Sequence, residues 1–147
     1  MQSLARRNFQ HEDFFVSDTA VRLGIDNHTT DPIILKNLSS TADLMQEVRD
    51  LLKQPIKINS AYRCKQVNDA VGSKDTSQHL QGLACDFVCP KFGTPEEVVR
   101  EIKKAGIIVD QLFNEGSWCH ISRKPAGNRM MIGFYLLENG KRKFKPI

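Results

Sequence analysis

The segment TSQHLQGLACDFV, residues 76–88, constrains the fold more than any other part of the chain. Its second half is a short β-prone run that carries one carboxylate, Asp86, among apolar neighbours. In an extended strand, one face would carry Ala84, Asp86 and Val88, and the core face would carry Cys85, Phe87 and Cys89. A carboxylate that leaves water needs a partner or a metal. The segment therefore predicts a sheet strand with a polar site on one face.

The rest of the chain alternates between helical and extended patterns. Helices are predicted over residues 39–55 and 93–106, the latter from Thr94 as N-cap, Glu97 completing a capping box, and Gly106 as the stop. Strands are predicted over residues 56–62, 83–88, 107–113 and 118–122, and a hairpin over residues 130–144 that turns at Asn139 and Gly140. The pattern predicts a single α+β domain with a mainly antiparallel sheet flanked by helices.

Composition limits the classes of function. A chain of 147 residues, 40% hydrophobic and 26% charged, has the length and composition of one soluble globular domain. Two arginines near the start precede no apolar stretch, so we expect synthesis in the cytoplasm without a signal peptide and no stable membrane association. The net charge of +4 is scattered apart from the basic tail NGKRKFKPI. A solvated basic end is the commoner explanation of such a tail, so no nucleic-acid partner is expected.

Three side chains in this pattern could bind one metal ion. His79 precedes Asp86 across a turn that Gly82 permits, and a hydrogen-bonded structural pair is one explanation of this spacing. His120 lies in the predicted strand WCHIS, on the same face as Trp118. Two histidines and an aspartate are also the three protein ligands of a catalytic zinc, which keeps a fourth position open. Both explanations remain open on the residues alone.

Cysteines offer a further alternative, a structural zinc site or disulfides. The four cysteines are Cys64, Cys85, Cys89 and Cys119. The close pair Cys85 and Cys89 has no matching second pair, and strand alternation sends both away from Asp86. We therefore favour the histidine and aspartate site.

Three ordered motifs resemble those of the M15 zinc peptidases, the D-alanyl-D-alanine carboxypeptidase and L-alanyl-D-glutamate endopeptidase family. SQHLQGLACD fits the pattern SxHxxGxAxD, SWCHIS resembles the motif of the third zinc ligand, and INSAYRC resembles the SGYR segment. FFVSDTAVRLGIDN near the start resembles the leader of small phage-encoded members. The resemblance implies an M15/hedgehog-like peptidase fold with residues 1–147 as one zinc peptidase domain, a leader over 1–32 and a core with the metal site over 33–147.

The resemblance also implies roles for individual residues. One Zn²⁺ would be held by His79, Asp86 and His120; Arg63 would hold a substrate carboxylate and so orient the reaction; Ser77 and Trp118 would contact substrate. Many members carry an acid three residues before the last zinc histidine, where this chain has Ser117. Glu115, in the segment DQLFNE, is therefore the expected general base, with Asp110 as the reserve.

The expected function is hydrolysis of peptide bonds in peptidoglycan stem peptides, as a carboxypeptidase or an endopeptidase. A phage endolysin or a virion-associated lytic enzyme is the expected setting, with action on the cell wall after release or from the particle, where phage virion proteins would be partners. The alternative is a non-catalytic virion structural or cell-wall-binding protein that keeps the fold. The two differ in whether an acid can accept a proton at the metal site.

Overall fold

A six-stranded sheet organises the computed structural model, which describes residues 3–147. The strands are β1 (Lys57–Ser60), β2 (Ala84–Val88), β3 (Gln111–Asn114), β4 (Cys119–Ser122), β5 (Met131–Glu138) and β6 (Lys141–Pro146). They lie in the order β1-β2-β4-β3-β5-β6, and every neighbouring pair is antiparallel except β3 and β5. This arrangement confirms the predicted single α+β domain with a mainly antiparallel sheet.

The two longest helices pack on one face of the sheet. The α-helices are α1 (Asp18–Leu23), α2 (Pro32–Leu52), α3 (Lys65–Ala70) and α4 (Pro95–Ala105), with 3-10 helices at His11–Phe15 and Gln78–Gln81. The predicted start of α4 is confirmed, because Thr94 Oγ1 accepts from the Glu97 N–H and Glu97 Oε1 accepts from the Thr94 N–H, each at 3.2 Å. Over residues 3–147, no helix is both long enough and apolar enough to cross a bilayer.

The predicted start of α2 at residue 39 is wrong. The helix begins at Pro32, because Asp31 caps it by accepting from the backbone N–H of Ile33 at 2.9 Å. An aspartate followed by proline at the first helical position is a recognised start signal. The apolar spacing used for the prediction becomes regular only later in the helix. The predicted end at residue 55 is closer to the structure, in which the helix ends at Leu52 and the left-handed residue Lys53 follows.

The core lies between the helices and the inner face of the sheet. Cys85, Phe87 and Cys89 are buried there together with residues of α2 and α4, which confirms the predicted alternation along β2. Asp86 and Val88, on the other face, are half-buried. The outer face of the sheet is therefore free to carry a polar site.

Residues of the predicted leader pack into the same core. Leu4, Phe9, Phe14 and Phe15 are buried in it. The buried amide of Asn27 donates to the carbonyls of Phe15 and Tyr62, at 3.0 and 2.9 Å, and its oxygen accepts from the Cys64 N–H at 2.8 Å. These bonds fix the chain on both sides of Arg63. Residues 1 and 2 of the predicted leader lie outside the described residues.

The final hairpin forms as predicted, with β5 and β6 joined by a turn at Asn139 and Gly140. Gly133 on β5 allows the two strands to approach closely. A Cβ at that position would lie 2.2 Å from the carbonyl oxygen of Lys145 and 2.7 Å from Cζ of Phe144. The glycine therefore lets the Phe144 ring lie against the sheet. The outermost strand, β6, forms one edge of the sheet.

Candidate metal centre

Two neighbouring strands and a 3-10 helix bring the three predicted ligands together. Asp86 on β2 lies directly opposite His120 on β4, and His79 lies in the 3-10 helix just before β2. Gly82 ends that helix with a φ of 74°, and a Cβ there would lie 2.9 Å from Cγ of Leu38 on α2. The missing side chain thus allows the turn to pack against α2 while His79 faces the sheet.

The distances among the three side chains approach those of zinc ligands, and the pair Asp86 and His120 is closer than in an ideal tetrahedral site. Asp86 Oδ1 lies 3.3 Å from His79 Nε2 and 2.9 Å from His120 Nδ1. All three ligand atoms lie within 4.8 Å of one another. Tetrahedral ligands about 2.0–2.2 Å from zinc lie roughly 3.3–3.6 Å apart. Among residues 3–147, no other group of three histidine, cysteine, aspartate or glutamate side chains comes together in this way.

Acceptors beside the two imidazoles bear on which nitrogen each histidine offers to a metal. His79 Nδ1 donates to the carbonyl of Ala61 at 2.6 Å, so the lone pair is on Nε2, which is buried and has no hydrogen-bond partner. Both nitrogens of His120 face acceptors, since Nε2 lies 3.0 Å from Gln111 Oε1 and Nδ1 lies 2.9 Å from Asp86 Oδ1. When Nε2–H donates to Gln111, the lone pair on Nδ1 is free for a metal held together with Asp86. Metal-bound histidines usually donate their other nitrogen to such an acceptor. An unpartnered buried nitrogen is costly unless a ligand binds it.

Burial and charge favour the metal-binding protonation states of His79 and Asp86. Burial lowers the pKa of His79, and the neighbouring Asp86 carboxylate only partly opposes this effect, so the imidazole is neutral at pH 7. Burial on its own would raise the pKa of Asp86, but the two histidines outweigh it and hold that pKa well below its usual range. Neutral imidazoles and an ionised carboxylate are the forms that bind metal.

Arg63 lies beside this group, after β1. Its backbone N–H donates to the carbonyl of His79 at 3.1 Å, and its Nε is buried without a hydrogen-bond partner. Burial lowers the pKa of Arg63, and attraction to Asp86 opposes that effect. The geometry is compatible with the predicted binding of a substrate carboxylate, which would satisfy the unused donor.

The two candidate acids differ in their surroundings. Asp110 is fully buried, and both of its oxygens accept hydrogen bonds from Arg129, at 2.8–3.0 Å, with Gln78 adding another at 2.9 Å. Bonding to Arg129 holds the pKa of Asp110 well below its usual range. Glu115 lies in the turn after β3, largely covered, and accepts from Arg142. Asp110 therefore has a structural role, whereas Glu115 has one protein partner.

A cleft of about 500 Å³ opens beside His120. Ser77 lines it and also caps the 3-10 helix by accepting from the His79 N–H at 3.3 Å. Trp118 is 38% exposed but lies outside the residues that line the cleft. The predicted contacts of Ser77 and Trp118 with substrate stay predictions.

Three residues of the site were missed from the sequence. Gln111 and Tyr135 line the cleft together with Arg142. Gln111 belongs to the segment DQLFNE, in which Asp110 and Glu115 are the residues with an evident chemical role. Arg142 belongs to the basic tail, for which the sequence predicts a solvated end, whereas the structure places this residue in the lining of the cleft.

The cysteines take no part in the group. All four are free, and Cys85, Cys89 and Cys119 are buried in the core. Burial raises the pKa of Cys119 to about 12 and raises that of Cys85 as well. Protonated thiols are poor metal ligands. The structure therefore gives no support to a cysteine zinc site among the described residues.

A comparison with family models finds a match to Peptidase M15 over residues 7–122. This match covers more than half of the chain and includes His79, Asp86 and His120. It ends before β5 and β6 begin. A search of curated proteins finds no match.

Proposed function

Because the chain belongs to the peptidase M15 family, we propose that it is a zinc-dependent peptidase that hydrolyses peptide bonds in peptidoglycan stem peptides. One observation carries the zinc assignment. The buried Nε2 of His79, which has no hydrogen-bond partner, converges with Asp86 Oδ1 and His120 Nδ1. A divalent ion is the ligand that satisfies all three donors.

Each side chain of the site would have a separate role in such a reaction. A bound zinc ion would supply Lewis acidity, which polarises the scissile carbonyl and activates water. Arg63 would orient the peptide through a bidentate contact with a carboxylate. Glu115 would accept the proton from water and pass it to the leaving amine. We prefer Glu115 to Asp110 because the oxygens of Asp110 are occupied by Arg129 and Gln78.

Mass spectrometry of purified peptidoglycan tests this function. The protein with zinc should release peptide fragments, an excess of chelator should stop their release, and the fragment masses identify the bond that is cut. Glu115→Gln should keep zinc and lose at least about a hundredfold in rate, since general bases contribute roughly 10²–10⁴-fold. Glu101→Gln on α4 is the matched control and should keep the wild-type rate.

Fragment release that is unchanged in Glu115→Gln would exclude this base. If the wild-type protein binds zinc and releases no fragments, the chain is instead a non-catalytic cell-wall-binding or virion structural protein.

We further propose a phage endolysin or virion-associated setting, with action on the cell wall and contacts to virion proteins. Support for this setting comes from the resemblance of FFVSDTAVRLGIDN to small phage-encoded members. Purified phage particles should contain the protein in the virion-associated case.

A further inference from the structure

Arg142 reaches the candidate site from the edge of the sheet. Its strand, β6, lies beyond the residues that match the family model. The guanidinium carbon lies 3.9 Å from the centre of the Tyr135 ring, and Nη2 bonds to Glu115 Oε2. Stacking on an aromatic ring holds the planar guanidinium in place. The position of the cation is therefore fixed before any ligand arrives.

An aromatic row joins Arg142 to the metal ligands. Phe113 stacks on His120 with ring centres 5.4 Å apart and meets Tyr135 edge-on at 5.2 Å. Paired residues on neighbouring strands share a face of the sheet, so these rings lie on the face of the metal group. A peptide bound at His120 could extend along this row to Arg142.

The cleft is cationic. Lys74 and Arg142 give its lining positive charge, and none of its lining residues is acidic. The acid nearest to Arg142 is Glu115, whose side chain is 12% exposed, whereas the side chain of Arg142 is 55% exposed. Within residues 3–147, Nη2 is the one side-chain nitrogen of Arg142 that donates a hydrogen bond. Most of its donors thus remain available to a ligand in the cleft.

A carboxylate of a substrate would compete well for this guanidinium. Glu115 makes a single contact with Arg142. A ligand that approaches from the open side can make two parallel N–H···O bonds, which are stronger and more specific. A ligand carboxylate that replaces Glu115 on Arg142 would also leave the carboxylate of Glu115 free to accept a proton. Arg63 lies after β1 and Arg142 on β6, so the two cations flank the metal ligands of β2 and β4.

We propose that Arg142 is a specificity-determining residue that binds a second substrate carboxylate, beyond the one at Arg63, and thereby releases Glu115 to act as base. This inference rests on the proposed function. It defines the preferred substrate as a peptide with at least two carboxylates. In the free protein, the ion pair with Arg142 holds Glu115 inactive.

Two synthetic stem pentapeptides test the inference. Both contain an L-alanyl-D-glutamate and a D-alanyl-D-alanine bond and end in a free carboxylate, but one has free internal carboxyl groups and the other has internal carboxamides. Calorimetry with metal-free protein measures binding without turnover. The wild-type protein should prefer the free-acid peptide, and Arg142→Gln should reduce that preference by about tenfold, as expected when a charged hydrogen bond is lost.

Binding of both peptides is measured with the wild-type protein and with Arg142→Gln. The change in preference between the peptides then gives the contribution of Arg142 to binding, separately from that of Arg63. Arg142→Lys keeps the charge and should retain part of the preference. Arg100→Gln on α4, where Arg100 pairs with Glu96, is the surface control and should keep all of it. An equal preference in the wild-type protein and Arg142→Gln would overturn the inference.

Turnover provides a second readout. With zinc, Arg142→Gln should raise KM for the free-acid peptide. The same variant should raise kcat for the carboxamide peptide above the wild-type value, because Glu115 is released from its ion pair. An unchanged or lower kcat for the carboxamide peptide would contradict the release of Glu115. If the wild-type protein cleaves neither peptide, the proposed function fails, and the binding comparison still decides the role of Arg142.

Discussion

Replacing Gln111 with leucine should weaken zinc binding, although Gln111 is not one of the ligands. Gln111 Oε1 lies 3.0 Å from His120 Nε2, in a half-buried position. Leucine has nearly the same size but offers no acceptor. The His120 ring would then lose the acceptor that favours a proton on Nε2 and helps to orient the ring. Loss of such an outer partner typically reduces metal affinity by about 10–100-fold.

This loss of affinity corresponds to about 1.4–2.7 kcal/mol. With zinc in excess of both dissociation constants, the stabilisation that zinc provides should fall by the same amount. For a domain of this size, each kcal/mol shifts Tm by roughly 2–4 °C, so the zinc-dependent rise in Tm should shrink by about 3–11 °C. Each variant is compared with its own metal-free Tm, which removes any effect of the substitution on the fold.

Competition with a chromogenic chelator measures the zinc dissociation constant directly. Gln111→Glu keeps an acceptor at the same position and should bind zinc at least as tightly as the wild-type protein. His79→Ala removes a ligand, so its zinc dissociation constant shows the affinity that is left when the site is lost. A dissociation constant for Gln111→Leu within twofold of the wild-type value would refute the assignment of Gln111 as a positioning residue.

Two further predictions concern stability. Gly82→Ala should lower the free energy of unfolding by about 1–3 kcal/mol, because Gly82 has a φ of 74° and a Cβ there would lie 2.9 Å from a neighbouring side chain. Gly24→Ala, at a φ of 67° with no atom within 4 Å, should cost less in the same urea titration, and equal costs would contradict the close-approach argument. The pKa of His28 is raised by its hydrogen bonds to Asp26 and then Glu12, so its stabilising contribution is complete below its unfolded pKa and is lost as pH rises through the folded pKa. The free energy of unfolding of the wild-type protein should therefore exceed that of His28→Gln at slightly acidic pH, and this difference should shrink as the pH becomes alkaline. A difference that stays constant with pH would exclude the ion pairs of His28 as its cause.

Local pattern was enough to predict the elements nearest the metal group. Alternation along β2 assigned Asp86 to one face and Phe87 to the core, and the capping signals defined α4. These features depend on neighbours in sequence, so residue type and spacing determine them. The grouping of His79 with Asp86 and His120 came from donor chemistry and from the resemblance to the family.

Contacts across the sheet were beyond such reasoning. Arg142 meets Glu115 because β5 pairs in parallel with β3 and β6 folds back beside β5, a strand order that no local pattern specifies. The bond between Gln111 and His120 depends on the register of β3 against β4. In both cases, the chemistry of the residue was visible in the sequence, but its partner was set by long-range pairing.

Strand β6 has one more consequence, for self-association. As the outermost strand, it exposes unpaired backbone groups to which a second sheet edge could bond. Its alternate residues Lys141, Lys143 and Lys145 are exposed on the face opposite Arg142. Two copies meeting edge to edge would bring these like charges together, and the repulsion opposes aggregation. One strand thus both contributes a cation to the cleft and discourages intermolecular sheet extension.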